Sequence, residues 1–314
     1  MAKTWFLINL AILACLFGWC STSFGQQLVN MYVTVVNEQG QLIKGMKAEN
    51  FKLLENNKAR EIKFFTAESE PASVAIVFDL SASVTHNETD SKIKRVGWFR
   101  KSALDYIGLT RVDNEYTLLS FGEEISSIAD FVSSGTAKEI INDDTKFIRP
   151  KKDGTTPLFV AVKAAIEKLE KSKLARHILL VMTDGNDNAS AQKVKSEVDL
   201  AVRSSLIPIF TLAAYDPSTR DPDPAAHAEP RIASVSYDSG GGFFVAKSET
   251  DARNIMMRVA TIVENQYHLG FVPEQPVDQN KVRKLEVRLE IDKVDEKAFQ
   301  YPTPLYSKRY IPSM

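Results

Sequence analysis

The sequence predicts an α/β fold, a doubly wound and mostly parallel sheet inserted in a small all-β sandwich. Two observations support this class. From Ala72 to Glu264, short apolar runs alternate with segments of helical periodicity, which is the pattern of a parallel sheet covered on both faces. On both sides of this region, apolar and polar residues alternate as they do in half-buried strands.

The amino terminus has the layout of a secretory signal peptide. A basic residue precedes an apolar run from Trp5 to Trp19, and small residues stand at Ser23 and Gly25 before a cleavage point. The run is shorter than the roughly 20 residues that a membrane-spanning helix needs. We therefore expect residues 1–25 to be a cleaved signal, the mature chain to have no membrane span, and the protein to be periplasmic or extracellular. An uncleaved signal anchor and a lipoprotein are the alternatives.

Cysteine and charge usage exclude other classes. Cys15 and Cys20 both lie in the predicted signal, so the mature chain has no disulfide and no thiolate chemistry. An exported protein without disulfides depends on its core, which favours a bacterial envelope over a vertebrate matrix. The net charge is -1 and no basic face is concentrated, so we expect no nucleic acid partner. The cationic stretch from Lys281 to Arg288 alternates as the solvent side of a strand does.

The two flanks are expected to be β structure. In residues 26–70 the strand predictions are Leu28 to Val36, Asn50 to Glu55 and Arg60 to Thr66. We expect these three to form a small meander. In residues 266–314 the strand predictions are Tyr267 to Phe271, Lys284 to Ile291 and Ser307 to Ile311. Neither flank can bury both faces alone, so we predict that the two flanks pair into one sandwich.

The central domain is placed at residues 71–265. Its predicted parallel strands are Ser73 to Phe78, Glu115 to Phe121, His177 to Thr183, Ile207 to Ala213 and Gly242 to Ala246. Its predicted helices are Ile93 to Gly108, Leu158 to Lys171, Ala191 to Ser204, Arg231 to Asp238 and Asp251 to Glu264. The segment Ile125 to Phe131 is expected to be an antiparallel edge strand, and Asp216 to Pro230 a long surface loop.

The most specific motif follows the first strand of the central domain. Asp79, Ser81 and Ser83 place a carboxylate and two hydroxyls at alternating positions as that strand ends. Ligands of doubly wound sheets bind at the carboxyl ends of strands, where a loop can turn these oxygens toward one point. Hard oxygen ligands suit Mg²⁺, Mn²⁺ or Ca²⁺ rather than zinc or copper.

With this motif the sequence resembles the von Willebrand factor type A (VWA) family. The metal-ion-dependent adhesion site (MIDAS) of that family combines Asp-x-Ser-x-Ser with a distant Thr and a distant Asp. The Thr matches Thr156 in the Gly154 to Leu158 segment, which we choose over Thr155 because it directly precedes Pro-Leu. The distant Asp matches Asp184, which follows an apolar strand.

The resemblance implies a Rossmann-like VWA domain that binds a cation, Mg²⁺ with Mn²⁺ and Ca²⁺ as alternatives. The cation would be held by the two serines and Thr156, with Asp79 and Asp184 contributing directly or through water. An open coordination position would take a carboxylate from a protein partner, as in an adhesion module, and no enzyme activity is implied. The family also suggests that the last helix of the domain shifts with ligand state.

A closer resemblance is to bacterial, often acidobacterial, proteins with a VWA-related domain. It rests on Asn50 to Glu55, on the cation loop, on Asp184 to Asn188 and on Tyr267 to Phe271. One departure is Val160, where that subgroup often has an acid, so a capping or supporting role at this position is in question.

Other functions are weighed against this one. A phosphatase that uses Asp79 as nucleophile would need a second acid two residues later, where Ser81 stands. Gly240 to Gly242 precede a strand, whereas a nucleotide-binding loop follows one, so we expect a simple turn there. His177, like the other histidines, lacks a metal-ligand spacing. A structural cation site without ligand capture and, less favoured, a metal-dependent phosphohydrolase are the alternatives.

Overall fold

A computed structural model describes residues 28–81, 84, 92–147, 156–184, 187–214, 230–278, 281–292 and 303–312. The predicted signal peptide, Ser83, Thr155 and residues 216–229 of the predicted surface loop lie outside this part of the chain. Within it, none of the helices has the length and apolar character needed to cross a membrane.

Strands and helices alternate through the middle of the chain. The described strands are β1 (Val29–Val36), β2 (Phe51–Glu55), β3 (Lys58–Arg60), β4 (Ile62–Thr66), β5 (Ala72–Asp79), β6 (Glu115–Phe121), β7 (Ile125–Ser133), β8 (Arg176–Thr183), β9 (Ile209–Ala214), β10 (Gly242–Ala246), β11 (Tyr267–Phe271), β12 (Arg283–Leu289), β13 (Thr303–Leu305) and β14 (Arg309–Tyr310). The described α-helices are α1 (Lys92–Leu109), α2 (Ser134–Asn142), α3 (Leu158–Leu169), α4 (Gln192–Ser205), α5 (Pro230–Asp238) and α6 (Glu249–Val263).

The central domain is a six-stranded sheet in the order β10-β9-β8-β5-β6-β7. Its neighbouring strands are parallel, except that β7 runs antiparallel to β6. Helices α1, α2 and α6 pack on one face and α3, α4 and α5 on the other. The predicted fold class and the antiparallel edge strand are therefore confirmed, because buried apolar strands need a helical layer on each side.

Helix α2 was not predicted from the sequence. It follows β7 directly, and the Ser133 side chain accepts a hydrogen bond from the Thr136 backbone N–H at its start. The helix buries Ala137 and Ile141 against the sheet. Its short length left too little helical periodicity to be recognised beside the preceding strand.

The two flanks form two further four-stranded sheets, in the orders β13-β1-β11-β4 and β14-β12-β2-β3. Strand β1 pairs antiparallel with β11, and β2 pairs antiparallel with β12. The inward side chains of both sheets, among them Val33, Leu53 and Leu269, share one apolar core. The predicted sandwich of amino-terminal and carboxyl-terminal strands is confirmed.

The predicted amino-terminal meander is wrong. Strands β1 and β2 lie in different sheets, and so do β3 and β4. Strand β11 of the other flank lies between β1 and β4, and β12 pairs with β2 on the side away from β3. The segment from Arg60 to Thr66, predicted as one strand, is divided between β3 and β4. The segment from Ser307 to Ile311 is likewise shorter than predicted, and β13 precedes it.

A buried charge cluster holds the second flank sheet together. Glu55 has no exposed side-chain surface and accepts hydrogen bonds from Arg60 Nε at 2.6 Å and Arg283 Nη1 at 2.7 Å. It also accepts from the Tyr310 hydroxyl. Burial acts to raise the pKa of Glu55, but these hydrogen bonds outweigh it and hold the pKa below its ordinary value. Arg283 was expected on the solvent side of its strand, and that expectation is wrong.

Arg176, the first residue of β8, joins the sandwich to the central domain. Its guanidinium donates to the Glu70 carbonyl at 3.1 Å, to Gln266 Oε1 at 3.0 Å and to the Val263 carbonyl. It also lies over the Tyr32 ring of β1, 5.0 Å from the centroid. Glu70 and Gln266 belong to the two connections between the domains, so one buried side chain fixes both.

We predict that Arg176→Met lowers the free energy of unfolding by about 2–4 kcal/mol, because buried carbonyls that lose their donors carry a desolvation cost. Urea denaturation measures this loss. Arg288→Met is the matched control, since Arg288 is also on a strand but its side chain is 57% exposed. An equal effect of the two substitutions would contradict the role of Arg176.

Candidate metal centre

The candidate centre lies where β5 and β8 end side by side. These strands are parallel, and Phe78 pairs with Met182. The next residues along each strand, Asp79 and Thr183, are therefore neighbours, and Asp184 is the first residue beyond β8. Polar side chains at the carboxyl ends of adjacent central strands occupy the position where doubly wound sheets bind ligands.

Asp79 is fully buried and bonded to neutral donors. Its Oδ1 accepts from the Ser81 backbone N–H at 2.9 Å, and its Oδ2 accepts from the Thr183 hydroxyl at 2.6 Å. The Ser81 hydroxyl also donates to this carboxylate. A hydroxyl whose proton is directed to a carboxylate presents its oxygen lone pairs in the other direction. Ser81 is thereby oriented as an oxygen donor.

Asp184 lies close enough to Asp79 to repel it. Burial, and after it the charge of Asp184, raises the pKa of Asp79 from 3.8 to about 7. Asp184 itself is partly exposed. A pair of carboxylates held at one buried edge is unfavourable unless a proton or a cation reduces the repulsion.

Thr156 is brought to the same edge by the loop after β8. The Thr156 backbone N–H donates to Asn188 Oδ1 at 2.6 Å, and Thr156 is only 4% exposed. Three residues further, in the first turn of α3, the Phe159 backbone N–H donates to Asp187 Oδ2 of the same loop at 3.0 Å. The segment that carries Thr156 thus lies against the loop that follows Asp184.

Four of the five residues predicted to bind the metal are therefore described at one edge of the sheet. Asp79, Ser81 and Asp184 interact directly or electrostatically, and Thr156 is attached through Asn188. Ser83, the remaining predicted ligand, lies outside the described residues. So does Thr155, which leaves the choice between the two threonines as a prediction.

The donor set fits a hard divalent cation. It combines two carboxylates with the hydroxyls of Ser81 and Thr156, and oxygen ligands of this kind suit Mg²⁺, Mn²⁺ or Ca²⁺. In the part of the chain that the structure describes, no three His, Cys, Asp or Glu residues gather as metal ligands. The argument for a cation therefore rests on the hydroxyl oxygens as well as on the two carboxylates that repel each other.

Three residues of this region were not singled out as functional from the sequence. Thr183 is the last residue of an otherwise apolar strand, and its position opposite Asp79 follows from the strand register. Asp187 and Asn188 lie in a polar loop whose composition indicates only a turn. Asp187 bonds to a residue that lies 28 positions earlier in the chain, and Asn188 to one that lies 32 positions earlier. No local sequence pattern indicates these contacts.

Two expectations about residues outside the centre can also be compared with the structure. Gly240 and Gly241 lie in the turn between α5 and β10, as expected, and Gly242 begins β10. A Cβ at Gly241 would lie 2.0 Å from the Ile209 carbonyl oxygen. His177 lies in β8, and its Nε2 is 2.7 Å from the Leu174 carbonyl oxygen. Neither segment contributes to the candidate centre.

Comparisons with known proteins agree with the fold. The sequence model of the von Willebrand factor type A domain family matches residues 73–257, more than half of the chain. No curated protein matches this sequence.

Two solved structures illustrate the likeness. A von Willebrand factor type A protein from Catenulispora acidiphila is 10% identical, with a TM-score of 0.50 over 92% of this chain and 75% of the other. Proximal thread matrix protein 1 from the mussel byssus, solved with a zinc-occupied MIDAS motif, is 15% identical, with a TM-score of 0.49 over 66% of this chain. This chain spans about half, 48%, of the mussel protein.

The raised pKa of Asp79 predicts a pH dependence for the metal-free chain. Between the ordinary value of 3.8 and about 7, the folded chain holds a proton that the unfolded chain has lost. The free energy of unfolding should therefore fall as the pH rises through this window and level off above it. Asp79→Asn, which cannot ionise, should remove this slope.

Urea unfolding in the presence of a chelator, at several values between about pH 5 and pH 8, measures the free energy of unfolding of Asp79→Asn and of the wild type. Subtracting one curve from the other cancels the contributions of the other titrating groups, which both chains share. Asp113→Asn is the control, because Asp113 lies in the loop before β6 at the opposite edge of the sheet. Parallel curves for the wild type and Asp79→Asn would contradict the raised pKa.

Proposed function

This chain belongs to the von Willebrand factor type A family, and we propose that it binds a divalent cation at its MIDAS position and uses the cation to capture a protein partner. The observation that carries the proposal is the convergence of Asp79, Ser81, Asp184 and Thr156 at the carboxyl edge of β5 and β8. In this proposal the hydroxyls of Ser81, Ser83 and Thr156 hold the ion.

Asp79 and Asp184 would contribute their charge directly or through water. The Asp79 carboxylate also directs the Ser81 hydroxyl, so its role includes orienting a ligand. The bound cation would supply a positive charge that offsets the repulsion between the two acids. Mg²⁺ is the ion we propose, with Mn²⁺ and Ca²⁺ as alternatives that the same oxygen donors accept.

The proposed partner offers a carboxylate. Neutral hydroxyls supply much of the proposed shell, so the ion would keep enough positive charge to attract a further anionic oxygen. Asp184 is the partly exposed member of the described set, and it gives the centre an edge toward solvent. An acidic side chain of another protein is the ligand that matches both features.

A structural cation site is the second candidate, and a specific observation favours it. Ser81 is 3% exposed and Thr156 is 4% exposed, so these donors are largely covered. In that case the cation would tie the three loops together without recruiting a partner. The two candidates differ in whether metal binding changes the capture of other proteins.

We propose that the chain is not an enzyme. A nucleophilic carboxylate must reach its substrate, whereas Asp79 is fully buried and both of its oxygens accept hydrogen bonds. Ser81 stands where a phosphatase of the aspartyl type would need its second acid. We further propose that the protein is bacterial and exported through residues 1–25, to the periplasm or the cell exterior.

We predict that Asp79→Asn and Asp184→Asn each abolish Mg²⁺ binding, as measured by isothermal titration calorimetry at neutral pH. Both variants should stay folded, because each removes one of two repelling charges. Asp113→Asn at the opposite edge of the sheet should bind as the wild type does. Wild-type affinity in either of the first two variants would mean that the site is elsewhere.

We also predict that partner capture depends on the cation. Cell envelope extract is passed over immobilised wild-type chain in Mg²⁺, over the same chain in chelator, and over Asp184→Asn in Mg²⁺. A specific partner should be retained only in the first case, and replacing its contacting Asp or Glu by the amide should release it. Mg²⁺ binding by the wild type with identical retention in all three cases would favour the structural site.

A further inference from the structure

Two side chains just beyond the candidate centre connect loops that are distant in sequence. Asn188 Oδ1 accepts from the Thr156 N–H at 2.6 Å, and Asp187 Oδ2 accepts from the Phe159 N–H at 3.0 Å. Thr156 and Phe159 flank the start of α3, whereas Asp187 and Asn188 follow β8. The contacts therefore fix the Thr156 loop relative to the strand end that leads to Asp184.

Asp187 is the more deeply placed of the two. Its side chain has no exposed surface, and its Oδ1 accepts from the Ser190 N–H at 2.8 Å and the Ala189 N–H at 3.2 Å. Lys195 Nζ of α4 lies 4.0 Å from the same oxygen and 5.2 Å from the centre of the Phe159 ring. Three backbone N–H groups thus donate to this carboxylate and a lysine lies beside it, so several contacts fix its position.

Helix α3 needs this carboxylate because it lacks a cap of its own. The residue at its N-cap is Pro157, whose side chain makes no capping hydrogen bond. The first backbone N–H groups of a helix have no partner within the helix, and a negative charge there is favourable. Asp187 supplies the acceptor and the charge from another loop. The start of α3 is therefore capped although Val160 stands where related proteins often have an acid.

We propose that Asn188 and Asp187 are positioning residues for the metal centre, which set the distance of Thr156 from Asp79 and Asp184. This inference rests on the proposed cation site and adds two residues that act on it without binding the ion. Thr156 lies two residues before the start of α3, and its backbone N–H is bonded to Asn188, so the position of its hydroxyl depends on that contact. In other metal sites, replacing a residue that orients a ligand in this way typically weakens metal binding by about 10–100-fold.

The first test compares Asn188→Ala with Asn188→Asp. The alanine variant removes the acceptor for the Thr156 N–H, and we expect Mg²⁺ to bind about 10–100-fold more weakly. The aspartate variant keeps an oxygen at the same place, and we expect it to bind at least as tightly as the wild type. Asn188 is exposed, so neither change opens the core. Equal losses in both variants, or none in the alanine variant, would overturn the proposal.

Ion preference distinguishes positioning from general loosening. Mg²⁺ demands near-ideal octahedral geometry, whereas Ca²⁺ accepts flexible and irregular shells. If Asn188 positions a ligand, Asn188→Ala should weaken Mg²⁺ binding more than Ca²⁺ binding. If both affinities fall by the same factor, the residue does not set the geometry of the site and the proposal is wrong. Asn265→Ala is the control, because Asn265 also makes a side-chain contact to the backbone, to the Thr261 carbonyl of α6.

A measurement without metal tests the contacts themselves. Amide hydrogen exchange of the metal-free chain should show faster exchange at Thr156 in Asn188→Ala and at Phe159 in Asp187→Ala, each with little effect on the other amide. Unchanged protection of both amides would overturn the proposal. If the exchange results hold but the wild type binds neither Mg²⁺ nor Ca²⁺, the positioning contacts stand as loop anchors and it is the proposed cation site that fails.

Discussion

The repulsion between Asp79 and Asp184 is the constraint on which the rest of the centre depends. The parallel register of β5 and β8 brings the two strand ends together, and the burial of that edge leaves little water to screen the charges. Such an arrangement costs folding free energy in the metal-free chain. A proton or a cation near the two carboxylates would reduce this cost.

Hydroxyl groups from two strand ends are arranged around one member of this pair. Ser81 and Thr183 both donate to Asp79, so one carboxylate organises residues from two strand ends. Asn188 and Asp187 bring in the start of α3 from the other side. Most of these hydrogen bonds join residues that are far apart in the sequence. The candidate centre therefore forms only when the sheet is assembled.

The sandwich contributes at the opposite end of the same strand. Arg176 begins β8 and bonds to both connections between the domains, whereas Thr183 ends β8 at the candidate centre. A paired central strand is a stiff element, so the position of the sandwich and the position of the centre are set by one segment. The Glu55 cluster in turn holds the carboxyl-terminal strand β14 to the amino-terminal strand β2 through Tyr310.

The sequence alone determined the central fold and the positions of the predicted oxygen ligands along the chain, because apolar periodicity and the Asp-x-Ser-x-Ser spacing are local patterns. It also implied that the flanks must cover each other, but not how: the meander was wrong because strand pairing depends on β11 and β12, which are more than two hundred residues away. Arg283 was misplaced for the same reason, since its buried charge is paired with Glu55, a residue distant in sequence. The tertiary structure alone decided which side chains meet at the centre, because the contacts of Thr183, Asp187 and Asn188 join segments whose proximity no local pattern encodes.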